Sequence, residues 1–224
     1  FVCVWATPSK HPCVATLSAD GDLAPLVDLP EDVEWRPCSF SSDGKRLLLS
    51  GQDALGNVCA LVLCRIDEFE GEHFAVDNVL RANTGQRFFA PQFSEGLVGV
   101  FVAGAGSSQV CYHEWSVEHD GTQSLVALGF PSVDMSPGFG WSRTEDGQFI
   151  HLIRDLPALN RQQFTRLMSG NDTPVPLGKM VPKLDAVVFS TASNFAYFAD
   201  STTLGVFDFE LADITESIPL HNQI

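Results

Sequence analysis

The sequence predicts an all-β fold built from repeats of about 48 residues, each containing four short antiparallel strands. The first observation is an aromatic residue followed by serine, which recurs at steps of 53, 48 and 48 residues. The four pairs are Phe40-Ser41, Phe93-Ser94, Trp141-Ser142 and Phe189-Ser190. The second is an apolar residue nine positions after each aromatic one, at Leu49, Val102, Ile150 and Phe198. A fixed period of this length predicts a repeat architecture.

The third observation is a turn sequence between those two marks, such as Ser41-Ser42-Asp43-Gly44 or Thr144-Glu145-Asp146-Gly147. Gly, Asn and Asp tolerate the positive φ angles of tight hairpins, so each repeat begins as a hairpin. Its second strand is almost wholly apolar, as in residues 46–50, 98–102 and 195–198. Such a run predicts a strand buried on both faces.

A third and a fourth strand follow in each repeat, for example at residues 58–64 and 72–76. Four short strands per repeat are typical of the blades of a β-propeller. The predicted blades span residues 1–30 (incomplete, without its first strand), 31–80, 81–130, 131–180 and 181–224. They form a single propeller domain of about 4.7 blades. Either a five-bladed ring closes with a C-terminal strand completing the first blade, or the chain is part of a ring of six to eight blades.

The segment Phe-Ser-Ser-Asp-Gly-Lys-Arg-Leu-Leu-Leu-Ser at residues 40–50 resembles the repeat of TolB-like and WD-repeat propellers. In those families an aromatic residue, a serine, an Asp-Gly turn and an apolar strand recur in each blade. The Gly-His and Trp-Asp pairs of typical WD repeats are absent from this sequence, which leaves the subfamily open. The resemblance implies a propeller fold with loops that bind other molecules.

Charge and hydropathy disfavour two classes of function. The formal net charge is −15, with only 13 Lys and Arg residues, so a nucleic-acid partner is not expected. The most apolar run, residues 97–106, is about half the length needed to cross a bilayer and is interrupted by glycines, so no membrane span is expected. The excess of acidic residues is interpreted as a feature that keeps the protein soluble. The alternative is that the acidic surface binds a basic partner.

The six cysteines do not predict a disulfide framework. Cys13, Cys59 and Cys111 fall at the same place in three repeats, where the spacing between blades would be too large for a bridge. They are interpreted as small buried apolar residues. Cys3 and Cys13 could face each other across a hairpin, so a disulfide between these two residues stays an alternative. The pattern favours a reducing, intracellular compartment.

No catalytic, cofactor-binding or metal-ligating residues are predicted, and no cofactor is expected. The six histidines show no metal-ligand spacing, and Cys-x-x-Cys, Gly-x-Ser-x-Gly and phosphate-binding loops are absent from the sequence. Asp20, Asp43, Glu95 and Asp146 lie in predicted turns, where turn formation accounts for them. A glycosidase, which would need paired carboxylates, is therefore a minor alternative.

The leading hypothesis is a non-catalytic protein-interaction scaffold that presents the loops on the rim of the propeller. Loops between second and third strands, and those between blades, should share one face. The predicted contact residues on that face are Trp35, Arg81, Arg87, Phe139 and Arg154, because large aromatic and Arg side chains are favoured interface anchors. Trp35 and Phe139 could instead be core residues. Two other functions stay open, a substrate-gating propeller of a larger serine peptidase and a carbohydrate-binding or carbohydrate-cleaving propeller.

Overall fold

The fold is known from a computed structural model of the chain. The structure describes residues 2–6, 12–17, 20–21, 23–25, 29–67, 73–94, 97–116, 125–134, 140–190 and 194–220. These residues form β-strands and one short 3-10 turn at Pro157–Leu159, which confirms the predicted all-β class. Within the same ranges there is no helix long and apolar enough to cross a membrane.

The chain divides into two compact units. The first comprises residues 1–107 with 113–126, and the second comprises residues 108–112 with 127–224. The boundaries predicted for the individual blades remain a prediction.

The first unit begins with a three-stranded antiparallel sheet. Its strands, in spatial order, are β1 (Val2–Ala6), β2 (Pro12–Leu17) and β3 (Leu23–Pro25). The register pairs Cys3 with Ala15 and Trp5 with Cys13. Cys3 and Cys13 are therefore offset by two positions across the hairpin and do not lie directly opposite each other.

A nine-stranded antiparallel sheet follows, and it contains two of the predicted blades. Its strands are β4 (Glu34–Phe40), β5 (Arg46–Gln52), β6 (Val58–Asp67), β7 (His73–Arg81), β8 (Gln86–Ser94), β9 (Leu97–Gly104), β10 (Gln109–Ser116), β11 (Val126–Ala127) and β12 (Val133–Asp134). Strands β4 to β7 cover residues 34–81, and β8 follows at residue 86. A pairing of Val58 in β6 with Phe88 in β8 joins the two blades into one sheet.

Strand β5 shows why the second strand of a repeat is so apolar. Leu47 and Leu49 pack in a core cluster with Trp35, whereas Leu48 packs in a different cluster with Phe88 of β8. All three leucines are fully buried. Successive side chains of a strand point to opposite faces, so β5 contributes to two cores at once. The predicted burial on both faces is confirmed for this strand.

The second unit contains two further antiparallel sheets. The first consists of β13 (Trp141–Arg143), β14 (Phe149–Leu156), β15 (Arg161–Met168), β16 (Val175–Pro176) and β17 (Val181–Pro182). The last has four strands in sequential order, β18 (Ala186–Phe189), β19 (Phe195–Ala199), β20 (Thr203–Asp208) and β21 (Asp213–Pro219). The two sheets share an aromatic core in which the ring of Phe164 stacks on Phe207 at a centroid distance of 4.1 Å.

The same hydrogen-bonded turn closes hairpins in both units. The Ser41 hydroxyl donates to the Asp43 carboxylate over 2.6 Å, and the Thr144 hydroxyl does the same to Asp146. Each carboxylate also accepts a backbone N–H from two residues further on. These hydrogen bonds lower the pKa of both carboxyl groups. Gly44 has a φ of 70°, the left-handed conformation that the turn requires.

The turns also correct one of the sequence marks. The backbone N–H of Ser41, Thr144 and Ser190 each closes its turn onto a carbonyl five residues ahead. Thr144 is therefore the structural counterpart of Ser41 and Ser190. The predicted repeat pair Trp141-Ser142 therefore lies two residues before the true counterpart of Phe40-Ser41. In this repeat the aromatic residue does not directly precede the residue that closes the turn.

Four cysteines have described side chains, and all four are free thiols, namely Cys38, Cys59, Cys64 and Cys111. The absence of a bridge at Cys59 and Cys111 agrees with the prediction. Their predicted burial is wrong for Cys111, which is exposed on the outward face of β10, and only partly correct for Cys59, which is half-buried. Cys64 is the fully buried thiol, and burial raises its pKa to about 12.

Candidate interaction sites

Trp35, one of the predicted contact residues, lies in the core of the first unit. Its side chain is only 5% exposed and packs against Leu47 and Leu49. The indole N–H donates to the carbonyl of Pro30 over 2.7 Å. Opposite it in β5 is Gly51, where a Cβ atom would collide with the indole ring. This packing fits the alternative in which Trp35 is a core residue.

The turn between β5 and β6 presents the most exposed large apolar side chain among the described residues. Leu55 lies at its apex and is 87% exposed. The Asp53 carboxylate accepts the backbone N–H groups of Leu55 and Asn57, each over 2.9 Å. Gly56, with a φ of 81°, completes the turn. The leucine is thus held on a hydrogen-bonded turn, in which the backbone has little freedom to lose on binding.

Arg81, at the end of β7, is exposed and oriented by Asp32. The two guanidinium Nη atoms donate to the two carboxylate oxygens over 2.9 and 2.7 Å. This bidentate geometry fixes the plane of the guanidinium group. The hydrogen bonds from Arg81 also lower the pKa of Asp32, so the pair stays ionised throughout the physiological pH range.

Arg87, in β8, lies beside the same turn. Its Nη1 donates to the Asn57 side-chain oxygen over 3.3 Å, and its guanidinium lies 4.8 Å from the centroid of the Phe89 ring. The loop between β7 and β8 is joined to β6 by a hydrogen bond from the Ala82 N–H to the Cys59 carbonyl. We call the six residues Asp32, Asp53, Leu55, Asn57, Arg81 and Arg87 the Leu55 surface.

The remaining predicted contact residues lie elsewhere. Arg154 is half-buried in β14, in the second unit, where its backbone pairs with Gln163 of β15. Phe139 lies outside the described residues. A contact role for Arg81, Arg87 and Arg154 remains a prediction.

The second unit contains a polar cleft of about 600 Å³. It lies where the turn between β13 and β14 approaches the turn between β18 and β19. Its lining includes Arg143, Thr144, Asp146, Arg166 and Asn194. Hydroxyl, amide, guanidinium and carboxylate groups therefore share one concave surface, which suits recognition of a polar ligand.

A buried histidine lies at the floor of this cleft. His151 is 2% exposed and stacks on Phe209 at a centroid distance of 4.0 Å. Arg166 donates its Nε–H to His151 Nε2 over 3.1 Å and its Nη2–H to the carbonyl of Phe209 over 2.6 Å. Burial, with a smaller contribution from Arg166, lowers the pKa of His151 to about 3. The imidazole is neutral at pH 7, and its Nε2 lone pair accepts the hydrogen bond from Arg166.

No local pattern in the sequence indicates this pair, because His151 and Arg166 are 15 residues apart and each is unremarkable in its own segment. The signal that could have found them is the register of the β14–β15 hairpin, which places the two residues directly opposite each other. Directly paired residues share one face of a sheet.

His151 predicts a measurable dependence of stability on pH. Its pKa falls from about 6.5 in the unfolded chain to about 3 in the folded one, so the unfolded state binds an extra proton between those values. The free energy of unfolding is therefore expected to decrease on acidification, by at most about 1.4 kcal/mol per pH unit from this group. Urea titrations between about pH 6.5 and pH 5 avoid most carboxylate protonation. His151→Phe, which retains an aromatic ring against Phe209, should show a smaller slope, and equal slopes would contradict the assignment.

Neither a protein-family model nor a curated protein sequence matches this chain. Solved structures do resemble it. The WD40 domain of SCAP from fission yeast superposes with a TM-score of 0.55 at 7% identity, over 98% of this chain and 52% of that one. Prolyl oligopeptidase B from Galerina marginata gives 0.56 at 11% identity, over 93% and 29%. A putative 6-phosphogluconolactonase from Bacteroides fragilis gives 0.54 at 14% identity, over 98% and 68%.

The similar structures confirm the predicted fold class, since the chain has the β-propeller fold, built from antiparallel sheets. The number of blades remains a prediction. At these identities the likeness extends to the fold alone. A WD40 domain, a peptidase and a lactonase share it, which illustrates that one fold supports unrelated functions.

Proposed function

We propose that this chain is a non-catalytic protein-interaction module that binds a protein partner through the Leu55 surface. The observation that carries the proposal is Leu55 itself, an 87% exposed leucine held at the apex of a hydrogen-bonded turn. A large exposed apolar side chain on a fixed backbone can fill a pocket of a partner at a low cost in conformational entropy.

The two arginines beside Leu55 support the same function. Arg81 is oriented by Asp32, and Arg87 by Asn57 and the Phe89 ring. Arg87 contacts the Leu55 turn through Asn57, and Arg81 pairs with Ala60 near the start of β6. Because arginine is enriched among residues that dominate binding energy, the leucine and these two arginines form the proposed binding centre. Leu55 lies in the turn between β5 and β6, and Arg81 and Arg87 lie on either side of the connection between β7 and β8.

The experiment begins with a photo-crosslinking amino acid in place of Leu55, used in cells of the source organism. Mass spectrometry would identify the crosslinked protein. The matched control position is Phe40, the last residue of β4, which is 47% exposed. It lies at the end of the β4–β5 pair that is away from the Leu55 turn. We expect a discrete crosslinked partner at position 55 and not at position 40.

The same partner allows a quantitative test. Leu55→Ser and Arg81→Ala are each expected to weaken its binding about tenfold or more, as for residues at the centre of an interface. Lys45→Ala removes a basic side chain from the turn at the other end of β5 and should leave the dissociation constant unchanged. The proposal is wrong if Leu55→Ser and Arg81→Ala bind as tightly as the wild type.

A further inference from the structure

The polar cleft of the second unit has a floor built from a row of three side chains. Ser142 in β13 pairs with His151 in β14, and His151 pairs with Arg166 in β15. Directly paired residues share one face of a sheet, so the three side chains are neighbours on that face. All three line the cleft. We call these three residues the polar row.

His151 offers the cleft a hydrogen-bond donor. An arginine Nε always carries a proton, so Arg166 donates to His151 Nε2, and the single proton of the neutral imidazole is on Nδ1. Among the residues that the structure describes, none accepts the Nδ1 proton. His151 is 2% exposed, yet Nδ1 is not one of the polar atoms sealed from solvent. Because the residue lines the cleft, this donor opens into it.

Ser142 is in the same condition as its neighbour His151. It is 5% exposed and lines the cleft. In the described part of the chain its hydroxyl has no hydrogen-bond partner, and the oxygen is not sealed from solvent. A polar group on a buried side chain costs free energy unless a hydrogen bond satisfies it. A molecule that enters the cleft can supply that bond to both residues.

Arg166 adds a positive charge to the floor. Its half-buried guanidinium group is held by His151, by the Phe209 carbonyl and by the Phe149 ring, whose centroid lies 4.9 Å from Cζ. All three partners are uncharged, and no carboxylate of the described residues forms an ion pair with the group. A carboxylate that entered the cleft would bring the missing negative charge. Its two acceptor oxygens would match the donors of the polar row.

The rim of the cleft carries the opposite charge. Glu145, Asp146 and Glu210 line it and are exposed. Among the described lining residues outside the floor, only Arg143 is basic. Glu210 is also held in place, because its carboxylate accepts the Asn194 amide N–H over 2.8 Å. A rim with more acids than bases repels a ligand of net negative charge and attracts an ammonium group.

We propose that the cleft binds a small zwitterion, an amino acid or a short free peptide, with its carboxylate on the polar row and its ammonium group at the acidic rim. The volume of about 600 Å³ is in the range of small-molecule sites. A phosphate ester is disfavoured, because it carries about two negative charges at pH 7 and would face the acidic rim. The cleft shares no residue with the Leu55 surface, so the two proposals can fail independently.

The first experiment is a calorimetric titration of the whole chain with the common amino acids and a set of dipeptides. Each zwitterion that binds is then compared with two analogues, one with hydrogen in place of the ammonium group and one with a carboxamide in place of the carboxylate. At least one zwitterion is expected to bind with a dissociation constant below about 1 mM, and both analogues about tenfold more weakly or less. No binding by any zwitterion, or tighter binding of inorganic phosphate or glucose, would overturn the proposal.

Nitrogen-15 NMR of the histidine side chains observes the floor directly. His151 should show the neutral tautomer with its proton on Nδ1, and the bound zwitterion should shift that resonance because a carboxylate becomes its acceptor. His113, whose Nδ1 is sealed from solvent, is the control and should not respond. A proton on Nε2 of His151, or a signal that the zwitterion leaves in place, would contradict the proposed contact.

Two substitutions remove the donors of the floor. Ser142→Ala and His151→Phe are each expected to weaken binding of the zwitterion about fivefold or more. Ser50→Ala is the matched control, because Ser50 is also 5% exposed but lies in the first unit. It should bind as the wild type does. Ser142→Ala removes a single oxygen atom, so it tests the floor even where His151→Phe lowers stability. Wild-type affinity in both floor variants would refute the proposal.

The last experiment tests the charge of the rim. The double variant Glu145→Gln with Glu210→Gln retains an oxygen that accepts from Asn194 but removes two negative charges. It should weaken binding of the zwitterion about fivefold or more and strengthen binding of the analogue without an ammonium group. Asp172→Asn with Glu216→Gln makes the same charge change at exposed positions outside the cleft and should alter neither. Unchanged selectivity in the rim variant would show that the ammonium group does not lie there, and the proposal would be wrong.

Discussion

Trp35→Ala is expected to lower the free energy of unfolding by about 3 to 5 kcal/mol, the range for removing a large aromatic side chain from a packed core. The indole is 5% exposed, packs against two leucines of β5 and covers Gly51. Alanine would leave a cavity beside Leu47, Leu49 and Gly51, and the Pro30 carbonyl would lose its hydrogen bond. Urea unfolding followed by circular dichroism measures the change.

Trp35→Phe is the matched control. It retains an aromatic ring but lacks the indole N–H, so the expected loss is nearer to 1 kcal/mol, plus a small packing defect. A Trp35→Ala variant with an unchanged midpoint would show that the indole does not hold this core together. Trp35→Phe should also bind the partner of the Leu55 surface normally, since its role is structural.

Gly178→Ala is expected to cost about 3 kcal/mol or more, because two penalties act together. Gly178 has a φ of 61°, a left-handed conformation that costs a residue with a Cβ atom about 1 to 2 kcal/mol. The added Cβ would also collide with the carbonyl oxygen of Ala212 and approach the Phe207 ring within 3.3 Å. Because a backbone carbonyl cannot move away as a flexible side chain can, the loop between β16 and β17 would have to shift.

Gly170→Ala separates the two penalties. Gly170 lies in the same unit with a φ of 75°, but an added Cβ would meet no atom within 4 Å. Only the conformational cost of about 1 to 2 kcal/mol is expected there. The difference between the variants in urea midpoint then reports the collision, and equal midpoints would mean that the contact with Ala212 is readily relieved.

The sequence predicted the strands well because their signals are local. Strand centres such as residues 47–49 are apolar throughout, and turns such as residues 41–44 carry the Ser, Asp and Gly that hairpins need. Arg81 and Arg87 were selected from this local order, whereas Leu55 was not among the predicted contact residues. Whether these loops form a binding face remains to be tested.

Contacts between residues that are far apart in the sequence could not be predicted in this way. Arg81 and Asp32 are 49 positions apart, and their meeting depends on how β7 returns beside β6. Trp35 looks like an interface anchor in the sequence, but the glycine opposite it in β5 makes room for the indole inside the core. Likewise, the run Phe-Ala-Tyr-Phe of β19 is apolar throughout, and nothing in it shows that Tyr197 is exposed while Ala196 and Phe198 are buried.

Strand β5 contributes Leu48 to one core and Leu47 and Leu49 to another. The folding of the two adjacent blades is therefore coupled. When one blade opens, the blade beside it loses the apolar contacts made through this strand, so local opening should spread from blade to blade. Backbone amides of β5 should accordingly exchange with solvent only in large, cooperative openings. Those of β21, whose residues are all exposed, should exchange through independent fraying.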